Sequence, residues 1–190
     1  RYYTTILGNL YKLDMNAEYL EITKYWMAIN SVAGIGIKTA KKLVERFGSL
    51  ENAFLASAEE ITLLAGINFK LSCEIVGLKR ELPKFEKLIL QMYDSGIEVL
   101  CPDNPEYPRL LKLTNDQPCI IYKKGSISLN DAEAVSIVGT RFPTTEGYKS
   151  AEEIASKLAG EGFIIVSGLA KGIDTAAHLG ALKANGKTIA

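Results

Sequence analysis

A-V-S-I-V-G-T-R-F-P-T-T-E-G, residues 134–147, and G-F-I-I-V-S-G-L-A-K-G-I-D-T-A-A-H-L-G-A-L, residues 162–182, decide the fold. Residues 135–138 and 163–166 are short apolar runs, each followed at once by a glycine and then by a helix-like pattern. Continuous apolar runs of this length read as parallel strands with both faces covered. With the start of another strand at 187–190, the order is β-α-β-α-β. Both glycine turns then open at the carboxyl ends of their strands, on one edge of the sheet.

Each turn feeds a helix amino terminus, where unpaired N–H groups and the helix dipole favour an anion. The first turn adds the hydroxyl of Thr140 and the guanidinium of Arg141. The second adds Ser167, Gly168, Gly172 and the ammonium of Lys171. One such loop is no more than a tight turn, but two matched loops on one edge describe a phosphate site. Thr144 or Thr145 is placed to cap the helix after Pro143, and Asp174 to cap the last helix. His178 lies one turn beyond Asp174 on the same face, where the pair fixes a helix start rather than forming a general base. Tyr148, Ala151, Ile154, Ala155 and Leu158 form the expected buried stripe of the intervening helix.

V-G-T-R-x-P-T-x-x-G (138–147) and V-S-G-L-A-K-G-I-D-T-A-A-H-x-G-A-L (166–182) closely resemble the DprA/Smf family, the DNA-processing proteins of bacterial transformation. Residues 105–111 (P-E-Y-P-R-L-L), 118–125 (P-C-I-I-Y-K-K-G) and 25–28 (Y-W-M-A) extend the likeness over nearly all the chain except about the first twenty residues. The resemblance implies a protein that binds single-stranded DNA, forms homodimers and loads the RecA recombinase onto incoming strands in the cytoplasm. It implies no catalysis and no cofactor. The residues matching the family's phosphate pocket are Gly139, Thr140, Arg141, Ser167, Gly168, Lys171 and Gly172, with Arg141 as a bidentate clamp and Lys171 as a point charge.

Working outward, residues 32–40 read V-A-G-I-G-I-K-T-A between two helical stretches and resemble a helix-hairpin-helix motif. Its glycines let the backbone approach a phosphate, which makes Gly34, Gly36 and Lys38 a candidate second DNA contact. A hairpin of this kind also serves simply to pack two helices. A degraded second copy follows, with a capping box at Ser57 and Glu60 and a turn at Gly66. Residues 80–95 form an amphipathic helix with Pro83 in its first turn and Gly96 at its end. Strands at 97–100 and 120–122 are expected to join the later sheet.

The expected architecture is therefore α/β: an extended Rossmann-like parallel sheet, truncated at its carboxyl end, behind a small all-α helix-hairpin-helix or SAM-like domain. Its parts are an amino-terminal extension (1–16), the helical domain (17–79) and the DNA-binding domain (80–190), with the boundary near 77–82. The sequence lacks an initial methionine and ends inside a strand, so it reads as part of a longer protein. More of the binding groove and the dimer surface is then expected past Ala190.

Lysine plus arginine equal aspartate plus glutamate at 22 each, so phosphate binding has to come from local arrangement and not from bulk charge. Cys73, Cys101 and Cys119 lack metal-type spacing and read as core residues of a reducing compartment. No carboxylate cluster suggests a metal. No run approaches the roughly 20 apolar residues of a membrane span. Five residues rather than four separate Gly180 from Gly186-Lys187-Thr188, which removes a P-loop, and Ser167 lies outside G-x-S-x-G. The enzymatic alternative is a lysine-decarboxylase-like phosphoribohydrolase, which binds nucleoside monophosphates in a similar cleft.

Overall fold

The computed structural model describes residues 17–128, 130 and 133–190. The expected extension at 1–16 lies outside them. The chain divides into two compact units, 1–126 and 127–190.

The first unit opens with α1 (Ala17–Asn30) and α2 (Ile37–Phe47). Gly34, at φ 85°, supplies the left-handed backbone of the turn between them. Then come α3 (Leu50–Leu55), α4 (Ala58–Ala65) and α5 (Phe69–Gly77), each started by its own side chain. Ser49 accepts from the Asn52 amide, Ser57 and Glu60 close the capping box in both directions, and Asn68 accepts from the Leu71 amide. Each such cap is worth about 1 kcal/mol, which matters for helices this short.

A 3₁₀ turn (Leu78–Glu81) leads into α6 (Leu82–Asp94), with Pro83 in its first turn as expected. Gly96 follows the helix at φ 72°. β1 (Ile97–Leu100), α7 (Arg109–Lys112) and β2 (Ile121–Lys124) complete the unit. One apolar cluster holds Trp26, Ile29, Leu43, Phe54, Ile61 and Ile75 together with Ile89, Val99, Cys101 and Cys119. Tyr19 reinforces it: its hydroxyl donates to the Val99 carbonyl at 2.8 Å and accepts from the Val99 amide at 2.9 Å. The Trp26 indole donates to Asp103 at 2.8 Å. The expected division at 79–80 thus falls inside a continuous core, and the compact units part at 126–127.

Two further expectations change here. β1 and β2 pair antiparallel with each other, Ile97 opposite Lys124 and Leu100 opposite Ile121, and form a sheet of their own instead of joining the parallel one. Cys101 and Cys119 are buried as expected, but Cys73 is exposed. Burial pushes the Cys101 thiol up to about 11, so it stays protonated at neutral pH.

The second unit is the β-α-β-α-β element. β3 (Ala134–Ser136), β4 (Ile164–Val166) and β5 (Thr188–Ile189) pair in parallel in the order β3-β4-β5. α8 (Thr145–Gly160) and α9 (Ile173–Lys183) are the crossovers. Ala155 and Ala159 of α8, Ala177 and Ala181 of α9, and Ile165 of β4 form one buried cluster, so both helices lie on the same face of the sheet.

The helices approach unusually closely. A Cβ built on Gly180 would sit 2.2 Å from the Glu152 carbonyl oxygen, and one on Gly186 would sit 2.6 Å from the Ala159 methyl. Only small side chains fit between backbones at that distance. The buried stripe of α8 is accordingly Ala151, Ala155 and Ala159, while Ile154, expected inside, is 53% exposed.

Candidate nucleic-acid interface

The loops after β3 and β4 interlock. Gly172 adopts φ 89° and ψ −127°, a region open to glycine alone. A Cβ there would lie 2.3 Å from the Thr140 carbonyl oxygen and within 3 Å of the Arg141 backbone. The Ile173 amide donates to that same Thr140 carbonyl at 3.2 Å. In return Gly139 leaves room for Ile173, whose side chain would meet a Cβ on residue 139 at 2.7 Å. The backbones that carry Arg141 and Lys171 are therefore packed against each other through Gly172.

Asp174 holds the junction. Its buried carboxylate accepts from the Gly168 amide at 3.1 Å and, more weakly, from the Gly139 amide at 3.4 Å. The expected cap role is not observed. Gly172 is the N-cap of α9 with no side-chain cap bond, and Asp174 sits inside the first turn, joining one loop to the other. Nor does Asp174 pair with His178. The Nδ1 of His178 lies 2.7 Å from Thr188 Oγ1, whose proton goes to the Ile165 carbonyl. That leaves the hydroxyl as acceptor and Nδ1 as donor. His178 ties α9 to β5, and its buried Nε2 has no partner among the described residues.

The other expected site residues divide by exposure. Ser167 is 4% exposed and donates to the Ile137 carbonyl at 2.7 Å, stitching β4 to β3 rather than facing outward. Thr140 accepts from the Phe142 amide at 3.1 Å, which folds the first loop on itself. Thr144 caps α8 as expected, accepting from the Gly147 amide. Gly139, Thr140, Arg141, Gly168 and Lys171 are exposed. Neither Arg141 nor Lys171 takes part in an ion pair among the described residues.

Three apolar side chains share this rim: Phe142 at 92% exposure, Leu169 at 72% and Val138 at 69%. The apolar run at 135–138 reads as a strand covered on both faces, but the strand ends at Ser136 and Val138 lies exposed beyond it. Leu169 also adopts φ 55°, a left-handed conformation that costs a non-glycine residue about 1–2 kcal/mol. An exposed residue in a strained conformation gains nothing from packing, and such strain concentrates at functional loops.

In the first unit, Gly36 starts α2 with no side-chain cap, and Lys38 is exposed just beyond it. Neither Gly34 nor Gly36 has an atom near the place of a Cβ. The second hairpin differs in one atom that matters, because the Asn68 side chain already occupies the start of α5. A glycine against an asparagine at equivalent places is the sequence signal separating the two copies.

The model of the family described as DNA recombination-mediator protein A matches residues 98–190, and that of the SAM-like helix-hairpin-helix tandem matches residues 28–75. A protein Smf of Synechocystis is 36% identical over 170 residues, covering 87% of this chain and 42% of the relative. The DNA processing protein DprA of Bacillus subtilis is 34% identical over 108 residues, 56% of this chain and 36% of that one. That of Streptococcus pneumoniae is 46% identical over 84 residues, 44% of this chain and 29% of that one. The X-ray structure of DNA processing protein A from Streptococcus pneumoniae aligns with a TM-score of 0.65 at 28% identity, over 88% of this chain and 56% of its own. The chain thus spans less than half the length of these curated relatives.

Proposed function

This chain belongs to the DNA recombination-mediator protein A family, the DprA/Smf proteins, and we propose that its two interlocked glycine loops bind the phosphate backbone of single-stranded DNA. The observation that carries this reading is the placement of Arg141 and Lys171. They stand on backbones packed together through Gly172, both exposed and neither in an ion pair among the described residues. Arg141 grips a phosphate with two donors and Lys171 supplies a compact charge, so register comes from phosphates and not from base edges. The wider role we propose joins the DNA processing printed in the relatives' names to the part in transformation that the family resemblance implies. In it a cytoplasmic homodimer protects the strand and hands it to RecA.

Asp174 disfavours the nucleotide-enzyme alternative. A nucleoside monophosphate held deep in a glycine cradle needs the loop amides as donors. Here the Gly139 and Gly168 amides are already committed to a buried carboxylate. Anion binding is thereby displaced to the outer rim, where a polymer backbone reaches and a buried monophosphate does not.

Fluorescence anisotropy with a labelled oligothymidylate across a salt series tests the assignment. Arg141→Ala and Lys171→Ala are each expected to weaken binding about tenfold, about 1.4 kcal/mol. Each should also lower the slope of log K against log salt by about 0.7, the value for one phosphate contact on a single strand. Wild-type affinity in both variants removes these residues from the interface.

The first hairpin is proposed as a weaker second contact, through Gly34, Gly36 and Lys38. Lys38→Ala is expected to weaken binding about two- to fivefold, while Lys70→Ala, beside the self-capped copy, leaves it unchanged. Equal effects of the two would contradict the distinction drawn from Asn68.

A further inference from the structure

Phe142 stands at the tip of the first loop with 92% of its surface exposed, directly after Arg141. Nothing in the packing of the second unit explains a phenylalanine there. Leaving its ring in water gives up the burial that ordinarily repays an aromatic side chain.

Its backbone is held on both sides. The Phe142 amide donates to Thr140 Oγ1, Pro143 confines residue 142 to extended conformations, and Thr144 anchors the next turn as the cap of α8. A ring carried on a stiff backbone loses little entropy when something stacks on it. Beside it stands an arginine with no ion-pair partner among the described residues. An aromatic face next to a free cation is the pairing that unpaired nucleic acid uses, the cation taking a phosphate and the ring a base. In a duplex both faces of each base are already stacked, so the ring finds no partner there.

We propose that Phe142 is the base-stacking platform of this interface and gives it preference for single-stranded over double-stranded DNA. The inference rests on the phosphate-binding reading of Arg141 and Lys171, and adds to it the occupant of the apolar rim. Arg141 and Phe142 are consecutive in the first loop and both exposed, so a single strand crossing that loop meets a cation and a ring.

The full chain is used, with Phe142→Ala, Phe142→Trp, Arg141→Ala and Lys171→Ala. Each is titrated against an oligothymidylate, the same oligomer with abasic sites, and a duplex. Removing the ring is expected to weaken binding to the intact single strand about five- to a hundredfold and to leave abasic binding within about twofold. The salt slope should not move, because no phosphate contact is lost. Phe142→Trp should restore affinity, and a 2-aminopurine in the strand should be quenched by the wild type but not by Phe142→Ala. Because the ring is exposed, an unaltered melting temperature is expected to show that the fold is intact.

Wild-type affinity of Phe142→Ala, with Arg141→Ala and Lys171→Ala still weakened, rejects the platform while keeping the phosphate reading. Loss of self-association in Phe142→Ala without any change in DNA affinity also rejects it, since the ring would then serve a protein contact. Wild-type affinity in both cation variants, or no binding of single strands by the wild type, removes the reading on which the inference rests.

Discussion

Gly172→Ala is expected to lower the melting temperature by about 6–15 °C and to abolish measurable binding of single-stranded DNA. Two independent costs add at this position. Residue 172 sits at φ 89° and ψ −127°, a region worth about 1–3 kcal/mol of strain to any residue with a Cβ. The new methyl would also lie 2.3 Å from the Thr140 carbonyl oxygen, which is itself fixed by the Ile173 amide. Backbone cannot swing aside as a lysine tip does, so the first loop has to move. A total of about 3–5 kcal/mol is a large part of the 5–15 kcal/mol by which a domain of this kind is stable. The displaced loop carries Arg141, so affinity falls even at temperatures where the protein remains folded. Gly160→Ala is the control: it ends α8, nothing lies near the place of its Cβ, and alanine there should leave the melting temperature unchanged or raise it. If Gly172→Ala melts with the wild type, the loops are not interlocked as described.

Much of this arrangement can be read from residue order, and what cannot has an identifiable cause. The glycine turns, the capping box at Ser57 and Glu60, the Thr144 cap and Pro83 in a first turn are local, since each depends on residues within about one helical turn. The pairing of β1 with β2 is not local. A four-residue strand such as I-E-V-L carries no mark of its neighbour; the apolar cluster that takes in Val99, and Tyr19 bonded to Val99 across 80 positions, show that β1 belongs with the helices. Ile154 is a failure of another kind. Periodicity ranks faces by hydrophobicity, but Gly180 brings α9 so close that the face made of alanines wins. Ser167 and Asp174 share a third cause. Their residue types suit a ligand or a cap, and only the fold reveals that both are spent on holding one loop to the other.

That use of Asp174 can be tested by sign as well as size. Its carboxylate faces one amide from each loop, Gly139 and Gly168, and does so near two exposed cations that we assign to phosphate. Two effects then oppose each other when the charge is removed. A nearby negative charge repels an incoming phosphate, so neutralising it should tighten binding. The same carboxylate also registers the loops, so disabling it should loosen binding. Asp174→Asn separates them, because the shape is kept while one acceptor becomes a donor facing an N–H. Replacing a charge-assisted bond with two opposed donors in a buried position costs about 1–3 kcal/mol, and Asp174→Ala about as much or more because neither amide is then satisfied. The expected result for Asp174→Asn is a melting temperature lower by about 2–10 °C and affinity about tenfold weaker, as the first loop drifts from the second. Registration wins on this argument because it governs both cations at once, whereas the repulsion is already muted by the two amides and the start of α9. Tighter binding of single strands by Asp174→Asn at an unchanged melting temperature would reverse the assignment. The carboxylate would then be a competitor for the loop amides, and the inner cradle would be open to phosphate after all.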